Sequence, residues 1–332
     1  MRILYLPNSY SQQRQREKKA NIYPVLLAMQ AEFYRKQGHE VDWTMEGDKV
    51  EWNFIKGLIF DNCKQYDKII SEPENLPFLT LPRPDRVFTY AKSYTSGNYK
   101  YLPGTHIMSA SGCWWGNCRF CAEQGHPYEV RPVEDVISEI EECKSLGFKE
   151  VFDDSATFPT GEWLEKFLDA GIKRNGFGIK LGCNCRVASY PFLEMHRVGY
   201  RMLLFGLESA NQVTLDKINK GVKAEDIIPT LKKATEAGIE VHTAWMFGYD
   251  WETEKEAQNT LRLVHFLLRK GYSKTAQASF YRPTRDYVGN VNQRKYIRRI
   301  YHAAFYPDFW WVRRNEDIKY LWRGIKSYYA KD

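Results

Sequence analysis

Short apolar runs and amphipathic stretches alternate along most of this chain, and their order predicts its elements. Ile3, Leu4 and Leu6 open a strand, Leu26, Met29 and Phe33 fall on one helical face that Gly38 ends, and Val41 and Trp43 resume an extended run. The chain therefore starts as strand, helix, strand. From Asp48 to about Pro103 the pattern weakens, and prolines at 73, 77, 82, 84 and 103 break it into short pieces, as in a connector between domains.

Beyond the connector the alternation becomes regular. A strand over Thr105 to Ser109 leads into a loop, and Pro132 opens a helix whose Val133, Val136, Ile137, Ile140 and Cys143 share a face before Gly147 stops it. Strands follow at Glu150 to Asp153, Ile179 to Cys185, Met202 to Gly206, Val241 to Phe247 and Thr275 to Phe280. Between them run helices through Trp163, Phe167 and Leu168, near Phe192 to His196, from Ile227 to Ala237 and from Glu254 to Lys270. Six strands alternating with helices predict an α/β fold with a parallel sheet covered by helices. In such folds function gathers where strands end and loops begin.

With 332 residues, 43% of them hydrophobic and 15% aromatic, the chain can bury one large core or two smaller ones. Seven cysteines is an odd number, and the opening Met-Arg-Ile-Leu-Tyr-Leu-Pro is too short an apolar run for a secretory signal. No stretch approaches a membrane span of about 20 apolar residues. These features predict a cytoplasmic protein in a reducing compartment, without disulfides. Charge is placed unevenly. Arg282 to Asp332 hold twelve Lys or Arg against five Asp or Glu, so the whole net charge of +7 lies in the tail.

The chemistry concentrates in Ser-Gly-Cys-Trp-Trp-Gly-Asn-Cys-Arg-Phe-Cys, where Cys113, Cys118 and Cys121 sit on one loop. Four thiolates would close a [4Fe–4S] cluster, whereas three leave one iron open to a small molecule. A zinc site competes: Cys118, Cys121 and His126 match three ligands of a zinc knuckle, but the fourth position is Arg131.

This loop resembles that of the radical S-adenosylmethionine (SAM) superfamily, with a first gap of four residues where three is the commoner spacing. Phe-Asp-Asp-Ser-Ala-Thr-Phe, Gly-Leu-Glu-Ser-Ala-Asn, Leu-Asp-Lys-Ile-Asn-Lys-Gly and Gly-Tyr-Asp-Trp-Glu-Thr-Glu extend the resemblance from about Leu102 to Arg282. It is strongest with the cobalamin-type branch, which includes anaerobic cyclases and methyltransferases; Asp250 and Trp251 stand where that branch has Pro-Gly. The resemblance implies a partial (β/α)6 barrel over 102–282, a shortened cobalamin-domain-like βαβ region and connector over 1–101, and a helical extension over 283–332. It implies reductive cleavage of SAM to a 5′-deoxyadenosyl radical that abstracts hydrogen, an oxidoreductase activity fed by a reductant such as flavodoxin or ferredoxin.

Its implied SAM contacts are Asp153, Asp154 and Ser155 for the ammonium, Arg186 for the carboxylate or ribose, Glu208 on the fourth barrel strand, and, around the adenine, the backbone at Phe247 and Gly248 with Phe120 from the cluster loop. Cys185, Tyr281 and His242 are candidates for a later proton or hydrogen transfer. Each has a plainer alternative: paired aspartates cap turns, glycines mark turns, and a lone cysteine or histidine on a strand packs. The Asp-x-His-x-x-Gly loop that supplies a cobalt ligand is absent, with His39 in Gly-His-Glu-Val-Asp instead. Cobalamin is therefore disfavoured, and a cobalamin-dependent methyltransferase is the alternative. A non-catalytic iron–sulfur or zinc binding protein is the alternative of another class. In the tail, Tyr296, Ile300 and Phe305, then Ile318, Leu321 and Tyr329, predict two amphipathic helices closing the barrel. Their basic faces suit a membrane surface or RNA as well.

Overall fold

In a computed structural model of the chain, which describes residues 1–5, 24–43, 66–70, 73–94, 99–281 and 296, β1 (Arg2–Tyr5), α1 (Val25–Lys36) and β2 (Glu40–Trp43) follow the expected order. A further strand, β3 (Lys68–Ile70), lies within the stretch read as connector and pairs in parallel with β1. Three residues among prolines give no periodic signal. The helix phase differs from expectation too. Leu27, Ala28, Ala31 and Tyr34 are buried with Met29, while Leu26 and Phe33 are half-buried. Gln30 and Tyr34 reach Glu74 of the connector, at 2.8 and 2.7 Å, which turns their side of the helix inward.

Next come β4 (Gly104–Ile107), a two-stranded hairpin of β5 (Ala110–Ser111) and β6 (Glu129–Val130), α2 (Val133–Ser145), β7 (Glu150–Asp153), α3 (Glu162–Lys173) and β8 (Lys180–Cys185). The chain continues through α4 (Phe192–Val198), β9 (Tyr200–Glu208), α5 (Gln212–Lys217), α6 (Ile227–Glu236), β10 (Glu240–Phe247), α7 (Glu254–Lys270) and β11 (Thr275–Phe280). Strands β4, β7, β8, β9, β10 and β11 form one sheet in chain order, and every neighbouring pair is parallel. Right-handed crossovers that always step in one direction put the helices on one face. The other face curls round a lumen, giving the partial (β/α)6 barrel.

Strand alternation sorts the residues between these faces. Leu181, Cys183 and Cys185 of β8 and Val241, Trp245 and Phe247 of β10 lie in the outer core with the helices. Their neighbours Glu240, His242, Ala244 and Met246 are partly exposed on the lumen side. Tyr99, Phe152 and Met202 pack together as the lumen floor. Tyr99 needs Gly104 beneath it, where a Cβ would meet the ring at 2.3 Å, and its hydroxyl bonds His106 Nδ1.

The lower strand ends are tied by charge. Arg201 bridges Glu150 and Glu240, and Lys100 and Lys274 reach Glu240 at 2.9 and 2.6 Å. Burial raises the Glu240 carboxyl, but Arg201, Lys274 and Lys100 outweigh it and hold it at about 2. The connector is locked to α2 by Arg86, which donates to the fully buried Glu139, and Arg131 donates to the same carboxylate. Arg131, where a fourth zinc ligand would fall, is thus a structural cation.

The expected tail helices lie outside the described residues, apart from Tyr296, whose ring stacks on Phe247 at 5.6 Å. No described helix is long and apolar enough to cross a membrane.

Candidate metal centre

The β5–β6 hairpin brackets the cysteine loop above the carboxyl ends of the barrel strands. Gly112 enters the loop at φ 70°, and a Cβ there would meet Pro127 O at 2.3 Å, so only glycine fits. Cys118 is buried and Cys113 and Cys121 half-buried, all three as free thiols. Thr157 Oγ1 lies 3.1 Å from Cys113 Sγ, and Arg186 Nη1 donates to Cys118 Sγ at 3.7 Å. Burial pushes the Cys121 thiol up, a backbone N–H from Glu123 opposes it, and the nearby Cys118 and Cys113 sulfurs add to the rise.

Among the described residues no three Cys, His, Asp or Glu side chains are grouped to hold a single metal ion, and His126 is exposed. One tetrahedral zinc needs sulfurs about 3.8 Å apart, given Zn–S bonds of about 2.3 Å. A cubane is held by thiolates on separate irons and takes a wider triangle. Three thiols on one loop are the donors that a [4Fe–4S] cluster with one open iron would take.

The loop is docked on the turn after α5. Arg119 N donates to Ile218 O at 3.0 Å, Trp115 Nε1 to Asn219 O at 2.8 Å and Asn219 Nδ2 to Asn117 O at 3.1 Å. Arg186 Nη2 completes the contact on the Lys220 carbonyl. Arg186 is thus engaged with the loop itself, not held open for a carboxylate or ribose.

Beside the loop, Glu208 ends β9 at φ 65°, a left-handed conformation that costs a non-glycine residue about 1 kcal/mol or more. Its carboxylate accepts from Lys220 Nζ at 2.9 Å, both side chains being nearly buried. Gly206 makes room, since a Cβ there would lie 2.8 Å from Glu208 Oε1. Lys220 Nζ also sits 5.7 Å from the centre of the Phe120 ring. Phe120 joins Tyr249, Tyr281, Met246 and Trp251 in an aromatic wall, with Tyr249 and Tyr281 4.8 Å apart. Gly248 N donates to Glu252 Oε2 at 2.8 Å. Two buried polar atoms here, Tyr249 Oη and Glu252 Oε1, have no hydrogen-bond partner among the described residues.

Other expected site residues lie elsewhere. Asp153 faces the helix layer, where its carboxylate takes hydrogen bonds from Ser109 and Ser155. Burial still raises that carboxyl, the serine hydrogen bonds opposing. Ser155 is fully buried and also accepts Ala110 N at 2.9 Å. Of that trio only Asp154 is exposed. Phe247 is fully buried in the outer core, so only Gly248 of that pair reaches the rim. Cys185 packs outward beside Cys183, Sγ to Sγ 3.7 Å.

His242 lies on the lumen face four residues before Met246, roughly 13 Å down the strand at about 3.3 Å per residue. Its Nδ1 contacts Thr275 Oγ1 at 2.7 Å, and burial lowers it to about 4, leaving a neutral imidazole. Sequence reading missed Lys220, Tyr249, Glu252 and Thr157 as site residues. All four stand inside the motif stretches already singled out, where attention fell on glycines and aspartates.

Residues 107–264 match the model of the Radical SAM superfamily. An uncharacterised methyltransferase of Pyrococcus horikoshii is 26% identical over 63% of this chain and 47% of its own length. The anaerobic magnesium-protoporphyrin IX monomethyl ester cyclase of Rubrivivax gelatinosus is 26% identical over 64% and 39%. The chain spans less than half the length of both these curated relatives. In fold it is similar to the cobalamin-dependent SAM radical enzyme OxsB, solved with aqua-cobalamin and SAM, at TM-score 0.60 and 11% identity over 95% of this chain and 56% of that one. The radical SAM methyltransferase TsrM from Kitasatospora setae gives TM-score 0.50 at 17% identity over 62% and 37%.

Proposed function

We propose that this protein is an enzyme that holds a [4Fe–4S] cluster on Cys113, Cys118 and Cys121 and acts through SAM, a reading supported by the match of residues 107–264 to the Radical SAM superfamily model. Cys113, Cys118 and Cys121 would hold the cluster, which would supply one-electron reducing chemistry for cleavage of SAM and hydrogen abstraction from an unactivated carbon. The observation that carries the reading is the three-thiol loop over the carboxyl end of the barrel, beside the Glu208–Lys220 pair and the Tyr249 and Glu252 atoms that have no partner among the described residues.

The remaining work falls to binding and exclusion. Glu208 and Asp154 are acceptors for the ammonium and hydroxyls of SAM, and Lys220 is a cation for its carboxylate. Phe120, Tyr249, Tyr281 and Trp251 offer an apolar wall for adenine, with the bare backbone of Gly248 at its edge. The Phe152–Met202–Tyr99 floor keeps water from the lumen's lower end. Tyr281, at the rim, is the candidate for a hydrogen or proton transfer; Cys185 would first have to leave the outer core, and His242 lies deeper as a polar group facing substrate. A low-potential flavodoxin or ferredoxin and a reducing, cytoplasmic setting belong to this reading.

Cobalamin-dependent methyl transfer is a second reading, supported by the fold likeness to OxsB across 95% of the chain. The missing Asp-x-His-x-x-Gly loop weighs against it. Retention of the corrin spectrum after incubation with hydroxocobalamin and gel filtration would favour it.

The test is anaerobic reconstitution with iron and sulfide, then dithionite and SAM, with 5′-deoxyadenosine read by mass spectrometry. The wild-type chain should make it and Cys118→Ala should not. Cluster-loaded wild-type protein that leaves SAM intact would overturn the proposal.

A further inference from the structure

The gap between Cys113 and Cys118 holds two consecutive indoles, Trp114 and Trp115, and both lie against one cation. The Arg186 guanidinium carbon is 5.3 Å from the Trp114 ring centre and 5.0 Å from that of Trp115. Arg186 is 5% exposed. Its edge is engaged on two sides: Nη1 with Cys118 Sγ at 3.7 Å, Nη2 with the Lys220 carbonyl. Trp115 is itself fixed, its Nε1 on Asn219 O and its ring over Gly221, where a Cβ would come within 2.1 Å.

A guanidinium in this setting has lost most of its water, and its charge acts at higher strength than on a surface. Hydrogen bonds to the sulfurs and burial are among the factors that set an iron–sulfur potential. Adding an electron makes the thiolate cage more negative, and a fixed cation bonded to one sulfur stabilises that reduced form. The four-residue gap is what brings two indoles to the cation.

We propose that Arg186, clamped by Trp114 and Trp115, is a positioning residue that raises the reduction potential of the cluster through Cys118. The inference rests on the [4Fe–4S] reading above. The step it governs is a one-electron reduction by an external low-potential donor, for which dithionite serves in the test.

The experiment is a redox titration of the reconstituted cluster followed by electron paramagnetic resonance (EPR), with no SAM and no turnover. At the wild-type midpoint, Arg186→Met should lower the ratio of reduced to oxidised cluster about tenfold, equivalent to about 59 mV for a one-electron couple. Arg186→Lys, which keeps the charge, should recover most of the loss. An Arg186→Met cluster with the wild-type midpoint would overturn the inference. If that variant holds no cluster, Trp114→Ala reads the same quantity: a smaller shift in the same direction supports the clamp, and an unchanged midpoint overturns it. A wild-type chain that forms no cluster would instead remove the function reading, and this inference with it.

Discussion

Glu252 is 7% exposed, accepts the Gly248 amide on one oxygen and leaves the other unpaired among the described residues. Burial pushes its carboxyl up from 4.5 to about 7, with the Gly248 N–H opposing and Glu256 adding to the rise. A raised carboxyl binds its proton more tightly in the folded chain than in the unfolded one. Its contribution to stability therefore falls as pH rises from 4.5 through about 7. Glu252→Gln keeps an acceptor for Gly248 and removes the ionisation. In urea unfolding, the loss of stability between about pH 5 and about pH 8 should shrink by on the order of 3 kcal/mol at most. An unchanged pH slope would mean that this carboxylate already has a partner for its second oxygen. Glu208 makes the complementary point, because Gly206 two positions earlier is bare where its carboxylate and Lys220 meet.

Element order was largely legible because long amphipathic stretches carry their own period. The strands Glu150–Asp153 and Thr275–Phe280 and the helix Glu254–Lys270 fall where periodicity puts them. The last has a Thr253–Glu256 capping box at its start and Gly271 at its end. Short elements were not legible: β3, the β5–β6 hairpin and α5 are each too brief to show a repeat. Side-chain facing was not legible where the two-residue period of a strand was not applied. Val151 and Asp153 share one face, as do Trp245 and Phe247, so the side chains of Asp153 and Phe247 lie on the helix side. The cysteine loop was legible in its ligands but not in its docking, which depends on a turn a hundred residues away. Gly221→Ala tests that docking: a Cβ 2.1 Å from the Trp115 ring at φ 65° should displace the indole. The expected result is a folded protein whose tryptophan emission shifts to the red and whose iron and sulfide content after reconstitution drops several-fold. Full iron retention with unshifted emission would show that the loop holds its shape without the turn.

At the scale of the molecule, the barrel separates stability from chemistry. Its lower end is closed by the Arg201, Glu150 and Glu240 network and the Tyr99 plug, and its upper end carries the thiol loop, the Glu208–Lys220 pair and the aromatic wall. Parallel sheets with helices on one face place their reactive groups at the carboxyl ends of the strands, and this chain follows that rule. The central claim is that three thiols hold a cluster with one iron left for SAM. The most direct measurement is the EPR spectrum of the dithionite-reduced, reconstituted protein before and after SAM is added. A SAM-dependent change in the reduced-cluster signal, absent from Cys113→Ala, Cys118→Ala and Cys121→Ala, is the predicted result. A cluster signal that SAM leaves untouched, or one zinc per chain in place of the cluster, would contradict the account.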